Sequence, residues 1–272
     1  MIKRTCRWLG RRLARYLNQP IRRYEPFAVS DPQRLAAVLV PGDVLLVEGN
    51  RRVSTAIKYL TQSTWSHAAL YVGDFKGTGG GADAPALIEA DIEHGVIAVP
   101  LTSVAGVNTR ICRPVGLEPR DCQRVCQYAI ERLGLKYDLK NIIDLARYLL
   151  PVPPVPVYWR RRMLALGSGD PTRAICSTLI AQAFQSVRYP ILPRVEREAL
   201  SNDDVRGYGV REILHIRHYS LFTPRDFDIS PYFRVINPTI EGDFNYLALR
   251  WADGSRAAVE QQEQPIASTG GQ

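Results

Sequence analysis

No stretch of this 272-residue chain approaches the about 18 uninterrupted apolar residues that a membrane-spanning helix needs. Cysteine is sparse, with five residues: Cys6, Cys112, Cys122, Cys126 and Cys176. Their number is odd, their spacing forms no framework, and no CxxC pair occurs. That argues against a disulfide scaffold and against a structural zinc site, and it favours a reducing compartment, so a cytoplasmic location is expected. The glycines of "KGTGGG" do not fit a phosphate-binding pattern, and neither a metal nor any other cofactor is expected. The length allows one large domain or two small ones, with a core that needs no such staple.

Acid is missing from one region. Residues 1–23 carry Lys3, Arg4, Arg7, Arg11, Arg12, Arg15, Arg22 and Arg23 and no Asp or Glu. The whole chain has 35 basic and 27 acidic residues, so without those eight the charges balance at 27 of each sign. The excess of +8 therefore sits in the arm and not on the body. A nucleic-acid-binding domain would carry its basic patch on the folded part, so no nucleic-acid partner is expected. At helical spacing, Ile2, Cys6, Leu9, Leu13, Tyr16 and Leu17 fall on one side of the arm and the basic residues on the other. Two readings fit this pattern. The arm lies on an anionic membrane surface as a peripheral attachment, or it packs its apolar stripe on the body. Arginines interrupt every candidate apolar core, so a signal peptide is not expected.

The expected organisation is a basic amphipathic arm over 1–24, a single domain over 25–252, and a polar, Gly-rich tail over 253–272 in which disorder is expected. "DPQRLAAVL" reads as a short helix capped by Asp31 with Pro32 at its first position. "PGDVLLVEG" reads as a turn and a strand, "VSTAIKYLTQS" as a helix, and "SHAALYVGD", "ALIEADIEHGVIAVPL" and "TRICRPV" as strands. Residues 119–134 follow the i, i+3, i+4, i+7 rule through Cys122, Val125, Cys126, Ala129, Ile130 and Leu133, with Gly134 as the stop. Both cysteines on that face read as core fillers. A second helix is expected over about 139–150 and an exposed proline-broken loop at "PVPPVPVYWRRR", whose Trp159 is available to a partner or a lipid surface. Strands such as "NYLALRW" are expected near the end.

The chemistry rests on scarce residues. Only four histidines occur, and His67 opens an apolar strand. Side chains alternate along strands, so His67, Ala69 and Tyr71 share one face. In "ALIEADI", Leu87, Glu89 and Asp91 share one face and Ile88, Ala90 and Ile92 the other. If the two strands pair with apolar faces aligned, Glu89 meets His67 on one side, where a carboxylate can hold the imidazole in one tautomer. Cys176 falls in the first turns of the helix expected in "GDPTRAICSTLIAQAFQSV", whose inward face carries Ile175, Leu179, Ala183 and Val187. Free N–H groups there favour a thiolate. Each residue alone has a plain structural reading: Cys176 as a small hydrophobe, His67 as a strand-edge residue, Glu89 as a surface charge. His94, in the turn-like "EHGV", competes as a base and ranks below His67. His215 and His218 read as structural.

In that order, "PGDVLLVEG", "TWSHAALYVGD", "LIEAD", "GVIAVPL" and "AICSTLIAQAF" resemble the permuted papain-like cysteine hydrolases of the YiiX/YaeF type in the NlpC superfamily. "GLKYD" and "FTPRDFDISPYF" also resemble that family. The resemblance runs over about residues 40–236. It implies an α+β, circularly permuted papain-like fold, an antiparallel sheet packed against the helix that carries the cysteine. It implies Cys176 as nucleophile, His67 as general base and Glu89 as the residue that orients the histidine. Ser66, Tyr71, Tyr137 and Thr178 are added as candidate substrate-binding residues. The activity implied is hydrolysis of an amide or ester through an acyl-enzyme, with a peptide or lipid-like acyl substrate. The alternatives are a membrane-associated lipid acylhydrolase or acyltransferase with the same three residues, and a non-catalytic adaptor on this scaffold. The chain departs from the family pattern in its long Gly-rich loop between His67 and Glu89, in Thr178 where relatives carry an acid, and in the absence of a lipoprotein signal.

Overall fold

A computed structural model describes residues 19, 31–77, 82–91, 94–136, 175–199 and 210–238. The arm other than Gln19, the helix expected over 139–150, the proline-broken loop, Tyr137, the strand "NYLALRW" and the tail lie outside the described residues.

Helix α1 spans Pro32–Val38, and the Asp31 carboxylate accepts from the Gln33 N–H at 2.9 Å, as the Asp-Pro start predicts. Strand β1 (Val44–Val47) follows the Pro41-Gly42 turn, and helix α2 covers Arg52–Thr61. Strands β2 (His67–Tyr71), β3 (Pro85–Asp91), β4 (Gly95–Pro100) and β5 (Thr109–Pro114) come next, with a 3₁₀ turn at Leu101–Val104. Helix α3 (Pro119–Ile130) precedes α4 (Ile175–Ser186) among the described residues. Then come the ribbon strands β6 (Arg194–Ala199) and β7 (Val210–His215), a 3₁₀ turn at Tyr219–Leu221, the short helix α5 (Pro224–Asp228) and strand β8 (Phe233–Ile236).

Six strands form one antiparallel sheet in the order β4-β3-β2-β1-β5-β8. All four residues of β1 are buried, because the sheet is covered on both faces and β1 is central. On one face Val44, Leu46, Ala68, Leu70, Ile88 and Ala90 pack with Val125 and Ala129 of α3 and with Leu179, Ala183 and Phe184 of α4. On the other face Leu45, Val47, Ala69, Leu87 and Ile111 pack with Leu35, Leu39, Leu101 and Val104. The fold is α+β, with the antiparallel sheet lying against the helix that carries Cys176. This is the expected class.

Three expectations change. The stretch "ALIEADIEHGVIAVPL" is two strands, β3 and β4, paired to each other with Asp91 opposite Gly95. Gly95 has φ +81°, and a Cβ there would collide with the Leu135 carbonyl, so the helix end docks where only glycine fits. Regular helix in α3 stops at Ile130, and turns continue it to Gly134, whose φ is +83°. Cys126 is a buried core residue, but Cys122 is half-buried, with its thiol 3.0 Å from the Pro41 carbonyl. The β6–β7 ribbon was not expected at all.

One buried ion pair holds the entry to β1. Asp43 is fully buried and takes two hydrogen bonds from Arg113, Nε at 2.9 Å and Nη2 at 2.7 Å, and a third from the Val40 N–H at 2.9 Å. Arg113→Ala leaves that carboxylate buried without its cation. Unfolding in urea should show a loss of about 3–5 kcal/mol relative to the wild-type chain. A loss below about 1 kcal/mol would mean the Asp43 site is solvated.

Candidate active site

Three elements converge at one end of the sheet. His67 is the first residue of β2, Glu89 lies on β3, and Cys176 is the second residue of α4. The pairing of Leu70 with Ile88 and Tyr71 with Leu87 puts odd-numbered residues of both strands on one face. His67 and Glu89 are thus diagonal neighbours, and His67 Nε2 lies 2.7 Å from Glu89 Oε2. Strand alternation and the alignment of apolar faces fix that juxtaposition.

The sulfur arrives from the other side. Cys176 is 5% exposed, and its helix packs across β2 and β3. The His67 ring, on the first residue of its strand, interacts with the Cys176 side chain closely enough to shift the pKa of both groups. Since Nε2 is taken by Glu89, Nδ1 is the nitrogen left for the sulfur. The Ala68 backbone helps to lower the thiol pKa, and Ser177 Oγ lies 3.9 Å from the sulfur.

Electrostatics favour the charged forms of the pair. Burial alone pulls the His67 pKa down, but the charges of Glu89 and Cys176 and hydrogen bonds to both outweigh it, and the net shift is well upward. Burial alone pushes the Cys176 thiol up, but the His67 charge and hydrogen bonds from His67, Ala68 and Ser177 bring it below its ordinary value. Burial raises Glu89, and the His67 charge and hydrogen bond reverse that to a net lowering, with Asp91 opposing and Arg51 assisting. The charged forms of Cys176, His67 and Glu89 thus favour one another.

Other expected residues fall elsewhere. Ser66 is buried; its hydroxyl accepts from the Gly49 N–H at 2.9 Å and reaches the Val47 carbonyl at 3.5 Å. It fastens β1 to the turn before His67, and both hydrogen-bonding roles of its hydroxyl are engaged within the fold. Tyr71 sits at the far end of β2, four residues from His67 and so about 13 Å away along the strand. Thr178 is about 200° around α4 from Cys176. Tyr71 and Thr178 are therefore not brought to the sulfur by their own elements. The competing His94 is exposed and has its Nδ1 on Asp91 at 2.8 Å, at the β3–β4 hairpin. His215 pairs with Glu196 at 2.9 Å, and His218 caps the 3₁₀ turn through Ser220, so both have the structural partners that their sequence context did not reveal. Among the described residues, no three His, Cys, Asp or Glu side chains group as a metal site. No helix of the described residues is long and apolar enough to cross a membrane.

A cysteine at the start of a helix, set against a histidine from an antiparallel sheet and later in the chain than that histidine, is the arrangement of a permuted papain-like cysteine hydrolase. Residues 38–148, which include His67 and Glu89, match the profile of the permuted papain-like amidase enzymes of the YaeF/YiiX type, the C92 family. This is the family that the motifs quoted above resemble. A solved structure of the metalloprotein yiiX from Escherichia coli O157:H7 is similar to the chain at 16% identity and a TM-score of 0.42, covering 72% of this chain and 96% of that one. No curated protein matches.

Proposed function

We propose that the chain hydrolyses an amide through Cys176, His67 and Glu89 by way of an acyl-enzyme. The Cys176 thiolate attacks the substrate carbonyl and forms a tetrahedral oxyanion. The Cys176 N–H, near the start of α4, is one donor for that oxygen. As the C–N bond breaks, the His67 imidazolium passes its proton to the leaving nitrogen, and a thioester remains on the sulfur. Neutral His67 then takes a proton from water, hydroxide oxygen adds to the thioester carbonyl, and the acid leaves with the thiolate–imidazolium pair restored. Glu89 keeps the imidazole in one tautomer throughout and favours its charged form.

The observation that carries this reading is the 2.7 Å contact between His67 Nε2 and Glu89, on a ring whose other nitrogen is left for the sulfur. The match of residues 38–148 to an amidase family supports amide over ester. The basic, apolar-striped arm supports a second reading, a lipid acyl substrate presented at an anionic surface, with the same three residues.

Incubating the protein and its Cys176→Ala form with a panel of acylated peptides and with phospholipid vesicles, followed by intact-mass analysis, tests both. A mass increase matching a peptide acyl group on the wild-type chain alone is the expected result. A fatty-acyl adduct would move the substrate to lipid. Turnover that persists in Cys176→Ala would end the reading.

A further inference from the structure

The turn that delivers His67 is held from outside the sheet. Between the end of α2 at Thr61 and the start of β2 at His67 the chain runs through Gln62 at φ +52° and Ser63, whose Oγ accepts from the Trp65 N–H at 3.0 Å. Trp65 is buried in the same cluster as Cys176. Its indole Nε1–H donates to Asp228 Oδ2 at 3.0 Å, across 163 residues of sequence. The other oxygen of Asp228 takes a 2.6 Å hydrogen bond from Arg110 Nη1, and the same guanidinium stands 5.0 Å from the Trp65 ring centroid. Arg225, three residues before Asp228, donates to the Thr61 carbonyl at 3.3 Å. Helix α5 is therefore tied to both ends of the turn.

Asp228 occupies the last position of α5, where a carboxylate meets the negative end of the helix. Helix electrostatics do not favour an acid there; Trp65 and Arg110 do. The Thr223–Asp226 capping box rigidifies the other end of the same short helix, with Thr223 N to Asp226 Oδ2 at 2.7 Å. The result is a stiff clamp whose carboxylate grips the residue two before His67.

We propose that Asp228 is a positioning residue for the cysteine–histidine pair. Through the Trp65 indole it fixes where β2 begins, and so sets the reach of the His67 ring to the Cys176 sulfur. This rests on the proposed roles of Cys176 and His67. A thiolate–imidazolium pair needs its two members in contact, and a shift of about 1 Å at the start of β2 weakens the interaction that holds the thiol down. Arg110 keeps the carboxylate turned toward the indole, because it fixes the second oxygen.

The test is the pH dependence of Cys176 alkylation by iodoacetamide, followed by mass spectrometry of the Cys176 peptide, in the wild type, Trp65→Phe, Asp228→Ala and the double variant. Trp65→Phe changes no charge and keeps an aromatic ring in the core. The wild type should react with a midpoint below the ordinary thiol value. Each single variant should raise the midpoint by about one unit, a tenfold lower thiolate population in the acidic range, and the double variant should be no worse than either single. Reduced thermal stability with an unmoved midpoint in both singles would make Asp228 a structural tie only and overturn the inference. A wild-type midpoint at the ordinary thiol value would instead sink the thiolate–imidazolium reading itself, and the positioning role with it.

Discussion

Cys176→Ser should lower amide hydrolysis by about 10⁴-fold or more, in initial-rate assays at neutral pH. Serine fits the space, since the side chain differs by one atom and sits in a buried pocket 5% exposed. What it loses is the anion. The downward shift of the thiol depends on a group whose ordinary pKa is within reach of the His67 charge, and a hydroxyl is far outside that reach. His67→Ala should cost a similar factor, and the double variant little more, because the two groups act as one ion pair. The unfolding midpoint of Cys176→Ser should stay close to wild type, so that the loss is chemical. Retention of more than a few per cent of activity would mean that another group attacks the carbonyl.

Glu89→Gln should narrow the pH range of activity from both sides and lower kcat/KM at neutral pH by about 10²–10⁴-fold. The carboxylate charge is the leading influence that raises His67 against the downward pull of burial. Without it the imidazole loses its proton at lower pH, so the alkaline limb moves toward neutrality. The Cys176 thiol is then less well held as a thiolate, so the acid limb moves up toward neutrality. The two apparent values belong to the pair and not to either residue. Stability follows the same linkage. Glu89 has a lowered pKa in the fold, so its contribution is present above the ordinary carboxylate value of about 4.3 and is lost as pH falls through the folded value. His67 has a raised pKa, so its contribution is present below about 6.5 and is lost as pH rises through the folded value. Unfolding of Glu89→Gln should be less dependent on pH in the acid range than that of the wild type. An unchanged pH–rate profile would show that Glu89 does not act on the histidine.

Local pattern made much of the framework readable. Asp31-Pro32 marks a helix start that the capping hydrogen bond realises. The apolar run of β1 marks a strand with both faces covered. The break between β3 and β4 was harder to read, because the apolar residues run on through it. The deciding contact is the approach of Leu135, forty residues after Gly95, which no local pattern contains. The β6–β7 ribbon escaped because "RVEREA" places charges among its alternating residues and both Val195 and Leu214 stay exposed. Tyr71 and Thr178 lie close in sequence to His67 and Cys176, but strand rise and helix rotation carry them away from those side chains.

By itself the sequence determined that His67 and Glu89 share a face once β2 and β3 pair, because alternation has a period of two and only registers of one parity align the apolar faces. It also placed Cys176 near a helix start. Only the tertiary structure decided that this helix crosses the sheet where β2 begins, so that the sulfur meets the imidazole, and that Asp228 reaches back to Trp65. The reason is physical. Periodicity orients a side chain relative to its own element, whereas the packing of large apolar side chains such as Phe184 and Leu70 across distant segments sets where one element lies on another.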